Sequence, residues 1–106
     1  SNGKFINDVD IKYEVPFIFG DFKIEKLFEL KDAIDQTNFN YNNIEKLFFF
    51  KSGRWDIETF DGLLIKLPKD EIVGSFELLV KILIENDEKK IKKIDFRQKN
   101  QVIIDG

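Results

Sequence analysis

Histidine and cysteine are both absent from the 106-residue chain, which removes the commonest general base, the commonest metal ligand and the best side-chain nucleophile together. Carboxylates are the acid–base groups left. Asp56 and Glu58 stand two apart in a strand-like run, so both project from one face, and such a pair is what glycosidase chemistry requires. A solvated strand face with Asp56 paired across a hairpin to Lys66 accounts for the same residues, and the surrounding pattern favours it. Gly53, Gly62 and Gly74 compose no phosphate-cradling fingerprint, because none opens a Gly-rich strand-to-helix turn. The acidic pairs Asp70-Glu71 and Asp87-Glu88 lack the spacing of a calcium loop and read as solvated helix ends. No cofactor and no metal site is expected.

Phe48-Phe49-Phe50 beside Lys51, Arg54 and Trp55 has the ingredients of a stacking platform for single-stranded RNA. Seventeen basic residues against twenty acidic ones give a formal charge of −3, so the electrostatic footprint of a phosphate-backbone binder is missing. Core packing accounts for these aromatics instead. The alternating charges from Glu85 to Lys93 read as a soluble helix end and turn. One feature fits a purely structural reading less well. Val102-Ile103-Ile104 is a short β-branched run near the end of the chain, and a terminal strand at a sheet edge offers backbone donors and acceptors to an incoming strand.

The elements that position these residues follow from periodicity. Composition, with 42% hydrophobic and 35% charged residues, suits a globular domain with one core. Ser1-Asn2-Gly3 reads as the remnant of an expression tag, and residues 4–106 read as a single domain. The absence of cysteine leaves the redox compartment open and is compatible with an extracytoplasmic address. No apolar run approaches the ~20 residues needed to span a bilayer.

Lys4 to Tyr13 predicts short β-prone pieces, and Val15 to Gly20 an extended edge segment. Asp21 is placed as the N-cap of a first helix over roughly residues 22–36, with Ile24, Leu27, Phe28, Leu30 and Ile34 as its apolar stripe. Ile44 to Phe50 predicts a strand buried on both faces, with Leu47, Phe48, Phe49 and Phe50 at the centre of the sheet. Arg54–Thr59 and Leu63–Leu67 predict a hairpin closed by Phe60-Asp61-Gly62. Its register sets Thr59 against Leu63, Ile57 against Ile65, Trp55 against Leu67 and Asp56 against Lys66. After Pro68, a second helix spans Asp70 to about Lys89, with Ile72, Val73, Phe76, Leu79, Val80 and Leu83 inward. Two strands follow, Lys93–Gln98 with Ile94 and Phe96 inward, and Val102–Ile104. The order predicts an α+β fold, a mixed or antiparallel sheet with two helices packed on one face.

Arg54-Trp55-Asp56-Ile57, Asp61 to Pro68, Ile94-Asp95-Phe96-Arg97 and Val102-Ile103-Ile104, in that order and at those separations, resemble the C-terminal β domain of the FtsQ/DivIB cell-division family. The segment Val15 to Gly20 is similar to the stretch where that domain begins, and the resemblance covers roughly residues 5–104. It implies a bitopic inner-membrane parent with one membrane helix and a POTRA domain outside this fragment, and this domain on the periplasmic side at the septum. It implies no catalysis. The implied partners are FtsB and FtsL, FtsB adding a strand to the edge formed by the last strand. Carried over by position, the implied partner contacts are Arg97, Gln98, Asn100, Gln101, Val102, Ile103 and Ile104. Backbone pairing falls on residues 101–104 and side-chain specificity on Arg97 and Gln98. Trp55 and Pro68 are expected to be structural. A generic peptide-binding module and a small carboxylate-dependent hydrolase using Asp56 and Glu58 are the alternatives.

Overall fold

A tight loop fixes the middle of the sheet. In the computed structural model, which describes residues 16–86, 90–98 and 101–106, strands β3 (Trp55–Thr59) and β4 (Leu64–Lys66) pair antiparallel with Asp56 opposite Lys66, Ile57 opposite Ile65 and Glu58 opposite Leu64. The Thr59 N–H donates to the Leu63 carbonyl at 3.0 Å and the Leu67 N–H to the Trp55 carbonyl at 3.1 Å. The expected register and the Phe60-Asp61-Gly62 loop both hold. Gly62 supplies the positive φ of 87° that the turn demands, and the Thr59 hydroxyl caps the loop by accepting from the Leu63 N–H at 3.2 Å.

The remaining strands add outward in chain order, β1 (Phe17–Phe19), β2 (Ile44–Phe49), β3, β4, β5 (Lys93–Asp95) and β6 (Ile103–Asp105), giving one six-stranded sheet. β1 runs parallel to β2, and β4 parallel to β5. Each parallel step requires a crossover, supplied by helices α1 (Ile24–Asp35) and α2 (Ile72–Glu85). β2–β3 and β5–β6 are antiparallel. The sheet is therefore mixed, and the fold is α+β.

One row of the pleat carries the core. Register places Ile18, Leu47, Ile57, Ile65, Ile94 and Ile104 side by side across the six strands, and the central four are fully buried. Leu30 and Ile34 of α1 and Phe76 and Leu79 of α2 belong to the same buried cluster, so both helices cover this face. The Phe39 and Phe76 rings, 5.3 Å apart, tie the loop after α1 to α2.

Several expectations are corrected. β2 is covered on one face only: Phe48 and Phe49 are half-buried and Phe50 is exposed, because Phe48 points to the helix-free side and stacks on Phe19 at 5.1 Å. In α1 only part of the apolar stripe enters the core, since Ile24 and Phe28 face outward. Lys23, not Asp21, is the N-cap, without a side-chain cap. α2 starts at Ile72 after Glu71, whose φ is 60°, and Ile82 belongs to its buried face. The last strand is shifted one residue later than Val102–Ile104. The pieces expected in Lys4–Tyr13 and the tag remnant at residues 1–3 lie outside the described residues.

Burial ranks these positions energetically. Ile65→Ala should cost about 2–5 kcal/mol in denaturant unfolding, the range for emptying a packed aliphatic site. Phe28→Ala should stay within about 0.5 kcal/mol, as surface substitutions do. Gly20 has φ 109° and a Cβ there would run into the Phe49 carbonyl oxygen, so Gly20→Ala should destabilise by more than about 1 kcal/mol.

Candidate functional site

The row adjacent to the apolar one projects from the helix-free face. It reads Phe19, Phe48, Asp56, Lys66, Asp95 and Ile103 from β1 to β6. Asp56 is only 4% exposed, which corrects the expectation of a solvated face. Its Oδ1 accepts from Arg54 Nη1 at 2.6 Å and its Oδ2 from Lys66 Nζ at 3.2 Å. A carboxylate buried this far needs such partners, because desolvation without them is costly. Arg54 also donates to the Leu67 carbonyl at 3.2 Å and lies over the Phe50 ring at 4.7 Å. Both oxygens of Asp56 are thus engaged in holding the hairpin, and Glu58, half-buried, sits between Lys46 and Leu64 on neighbouring strands.

Asp95 plays the equivalent part at the far end of the sheet. Arg97 Nε reaches Oδ1 at 2.9 Å, Arg97 Nη2 reaches Oδ2 at 2.7 Å, and the Arg97 N–H donates to Oδ1 at 2.9 Å. The Arg97 side chain, above all its hydrogen bonds, holds the Asp95 carboxyl below the ordinary carboxylate range against the opposing effect of burial. The result is a clamp two residues long where the chain leaves β5. The Phe96 N–H donates to the Lys66 carbonyl at 2.8 Å, so the segment between the clamped residues stays on the sheet.

β6 is fastened to β5 by Lys93 opposite Asp105, Ile94 opposite Ile104 and Asp95 opposite Ile103, and by the Lys92 N–H on the Asp105 carbonyl at 2.7 Å. It is the last strand in the sheet order, and among the described residues no strand lies beyond it. All its residues are exposed, Ile103 at 37% and Ile104 at 46%. Beside it opens a groove of about 1010 Å³ between the start of α2 and the β5–β6 connection. Leu78, Phe96 and Val102 provide apolar lining, and Lys69, Asp70, Glu71 and Arg97 bring charges of both signs.

Those of the residues named from the sequence that are described fall in this one region. Arg97, Gln98 and Gln101 are exposed, and they line the groove together with half-buried Val102; Ile103 and Ile104 form the adjoining edge. Asn100 lies outside the described residues. Sequence reasoning missed the α2 side of the groove, Gly74, Ser75 and Leu78, because helical periodicity assigns Leu78 to neither face until the packing of α2 is known. It also missed the Asp95 clamp, although an Asp-x-Arg spacing at a strand end was available as a signal. Among the described residues there is no cluster of three or more potential metal ligands, and no helix is long and apolar enough to cross a membrane.

The chain matches the family profile described as cell division protein FtsQ/DivIB, C-terminal, over residues 1–97. The match includes β1 to β5 and the clamp, and stops before Gln98. No curated protein gives a significant match.

The clamp predicts an acid-sensitive edge. The folded state holds Asp95 ionised below its usual range, so the unfolded chain takes up the proton first as pH falls. The stabilisation is complete above the ordinary carboxylate range and is lost as pH drops through the lowered value. Unfolding free energy measured against pH should show this fall in the native chain, and Asp95→Asn should flatten it.

Proposed function

The chain belongs to the FtsQ/DivIB family of cell-division proteins, and from that premise we propose that it acts in septation as a recruiting scaffold whose β6 edge receives a strand from its partner. The observation that carries the reading is the exposed terminal strand, Ile103–Asp105, lying beside a groove of mixed character. Such an edge is a template for β-augmentation. Main-chain hydrogen bonds give affinity, and alternate side chains give specificity.

The partner of that strand is FtsB, acting with FtsL. Backbone pairing falls on residues 101–104, and Arg97 and Gln98 contribute side-chain specificity. The alternation of β6 supports a two-sided contact. Ile104 continues the apolar row toward the helix-covered face, and Ile103 continues the polar row on the other. An added strand therefore meets one apolar neighbour on each face.

The domain, taken as one unit over residues 4–106, works on the periplasmic side of the inner membrane. It belongs to a single-pass parent whose membrane helix and POTRA domain precede it. The mechanism is positional and carries no catalytic step. The carboxylate-dependent hydrolase finds little support, because both oxygens of Asp56 are occupied by Arg54 and Lys66.

Binding of the extracytoplasmic segment of the cognate FtsB tests the reading. Truncation after Gln101 should abolish binding while the remaining strands stay folded. Along a strand, successive N–H groups point to opposite edges, so one of Ile103→Pro and Ile104→Pro removes an outward donor. That variant should lose binding with its circular dichroism unchanged. Undiminished binding by the truncated chain sinks strand addition at β6.

A further inference from the structure

Helix α1 turns two large apolar side chains away from the core. Ile24 and Phe28, one turn apart, are 52% and 62% exposed, while Leu30 and Ile34 are fully buried. At 3.6 residues per turn, Phe28 lies about 160° around the helix from Leu30 and about 120° from Ile34. Its neighbours along the outward face are Glu25, three residues before, and Asp32, four residues after. Glu25, Glu29, Asp32 and Asp35 line a shallow notch with Phe28, and Lys31, paired to Asp35, is the one cation in its lining. The ion pairs of this helix are Lys26–Glu29 at 3.6 Å and Lys31–Asp35 at 2.9 Å. Among the described residues, Glu25 and Asp32 thus flank the ring with no lysine or arginine paired to them.

We propose that this face docks a basic segment of a protein partner, an arginine or lysine lying over the Phe28 ring between Glu25 and Asp32. The surface chemistry selects that occupant. A cation meets the face of an aromatic ring favourably and neutralises the adjacent carboxylates in the same position. A purely apolar segment would cover Phe28 only by desolvating unpaired carboxylates. Phosphate backbones and anionic lipid surfaces carry the repelled sign. The site does not rest on strand addition: α1 joins β1 to β2, at the opposite end of the sheet order from β6. It would give the scaffold a second, independent docking surface.

Titration of the isotopically labelled full chain with a short arginine-bearing amphipathic peptide, followed by amide NMR shifts, tests this. Its glutamate-for-arginine counterpart serves as control. Shifts should concentrate on α1, and Phe28→Ala and Asp32→Asn should each weaken binding about five- to tenfold, the scale of one cation–π or charge-assisted contact. Ile84→Ala should leave binding unchanged; Ile84 is 78% exposed on α2. The NMR spectrum itself reports whether each variant is folded. Equal binding by Phe28→Ala, shifts centred away from α1, equal binding of the glutamate peptide, or no binding at all would each overturn the proposal.

Discussion

Everything in this sheet depends on keeping one row of side chains in line. Ile18, Leu47, Ile57, Ile65, Ile94 and Ile104 come from six strands and lie on one pleat. A slip of one residue at any pairing would exchange that row for the neighbouring one, which carries Asp56, Lys66 and Asp95. The penalty would be burial of charges beneath α1 and α2 and exposure of the isoleucines, several kcal/mol on either count. The hairpin loop at Gly62 sets the register at β3–β4, and the two crossovers propagate it outward to both edges.

The polar row reinforces the same register from the other side. Asp56 can meet both Arg54 and Lys66 only if it stands opposite Lys66. Burial makes that requirement strict, because breaking a buried pair leaves an uncompensated charge. Asp95 and Arg97 apply the principle locally, with two residues of one strand end closing on each other. The tie keeps the chain on the sheet as it leaves β5 for the connection to β6. Stability and site geometry are thus served by the same ion pairs.

The parts of the fold legible in the sequence are those governed by period and turn chemistry. The β3–β4 register could be worked out because only a three-residue loop aligns Ile57 with Ile65, and the edge position of the last strand followed from its place in the chain. Tertiary choices were not legible. Ile24 and Phe28 of α1 face outward, although helical spacing already sets Phe28 well around the helix from Leu30 and Ile34. Phe48 and Phe50 look like core from composition, yet the helices cover only the opposite face of β2. Asp56 looked solvated because a period-2 pattern reports which face a residue is on and not how much of that face its neighbours cover. Of the candidate site, the β6 side was readable as a segment. The α2 side was not, because the groove exists only where two elements distant in sequence meet.

The two sheet edges are built differently, and the difference bears on how a scaffold avoids indiscriminate pairing. β1 is a three-residue strand preceded by Pro16, and short edges next to proline are poor templates for a further strand. β6 is equally short, but its polar row ends in Ile103 and its apolar row in Ile104, so an arriving strand gains side-chain contact on both faces as well as backbone bonds. Backbone pairing alone scarcely distinguishes one partner from another. In the proposed strand addition, discrimination would come from the pocket beside the edge, where Leu78, Phe96 and Val102 would favour an apolar side chain and Lys69, Arg97 and Glu71 would penalise wrongly placed charge. A strand that matches the edge but not the groove would desolvate Lys69 and Glu71 without pairing them. Under the proposed strand addition, that cost would make the groove, more than the edge, the determinant of partner identity.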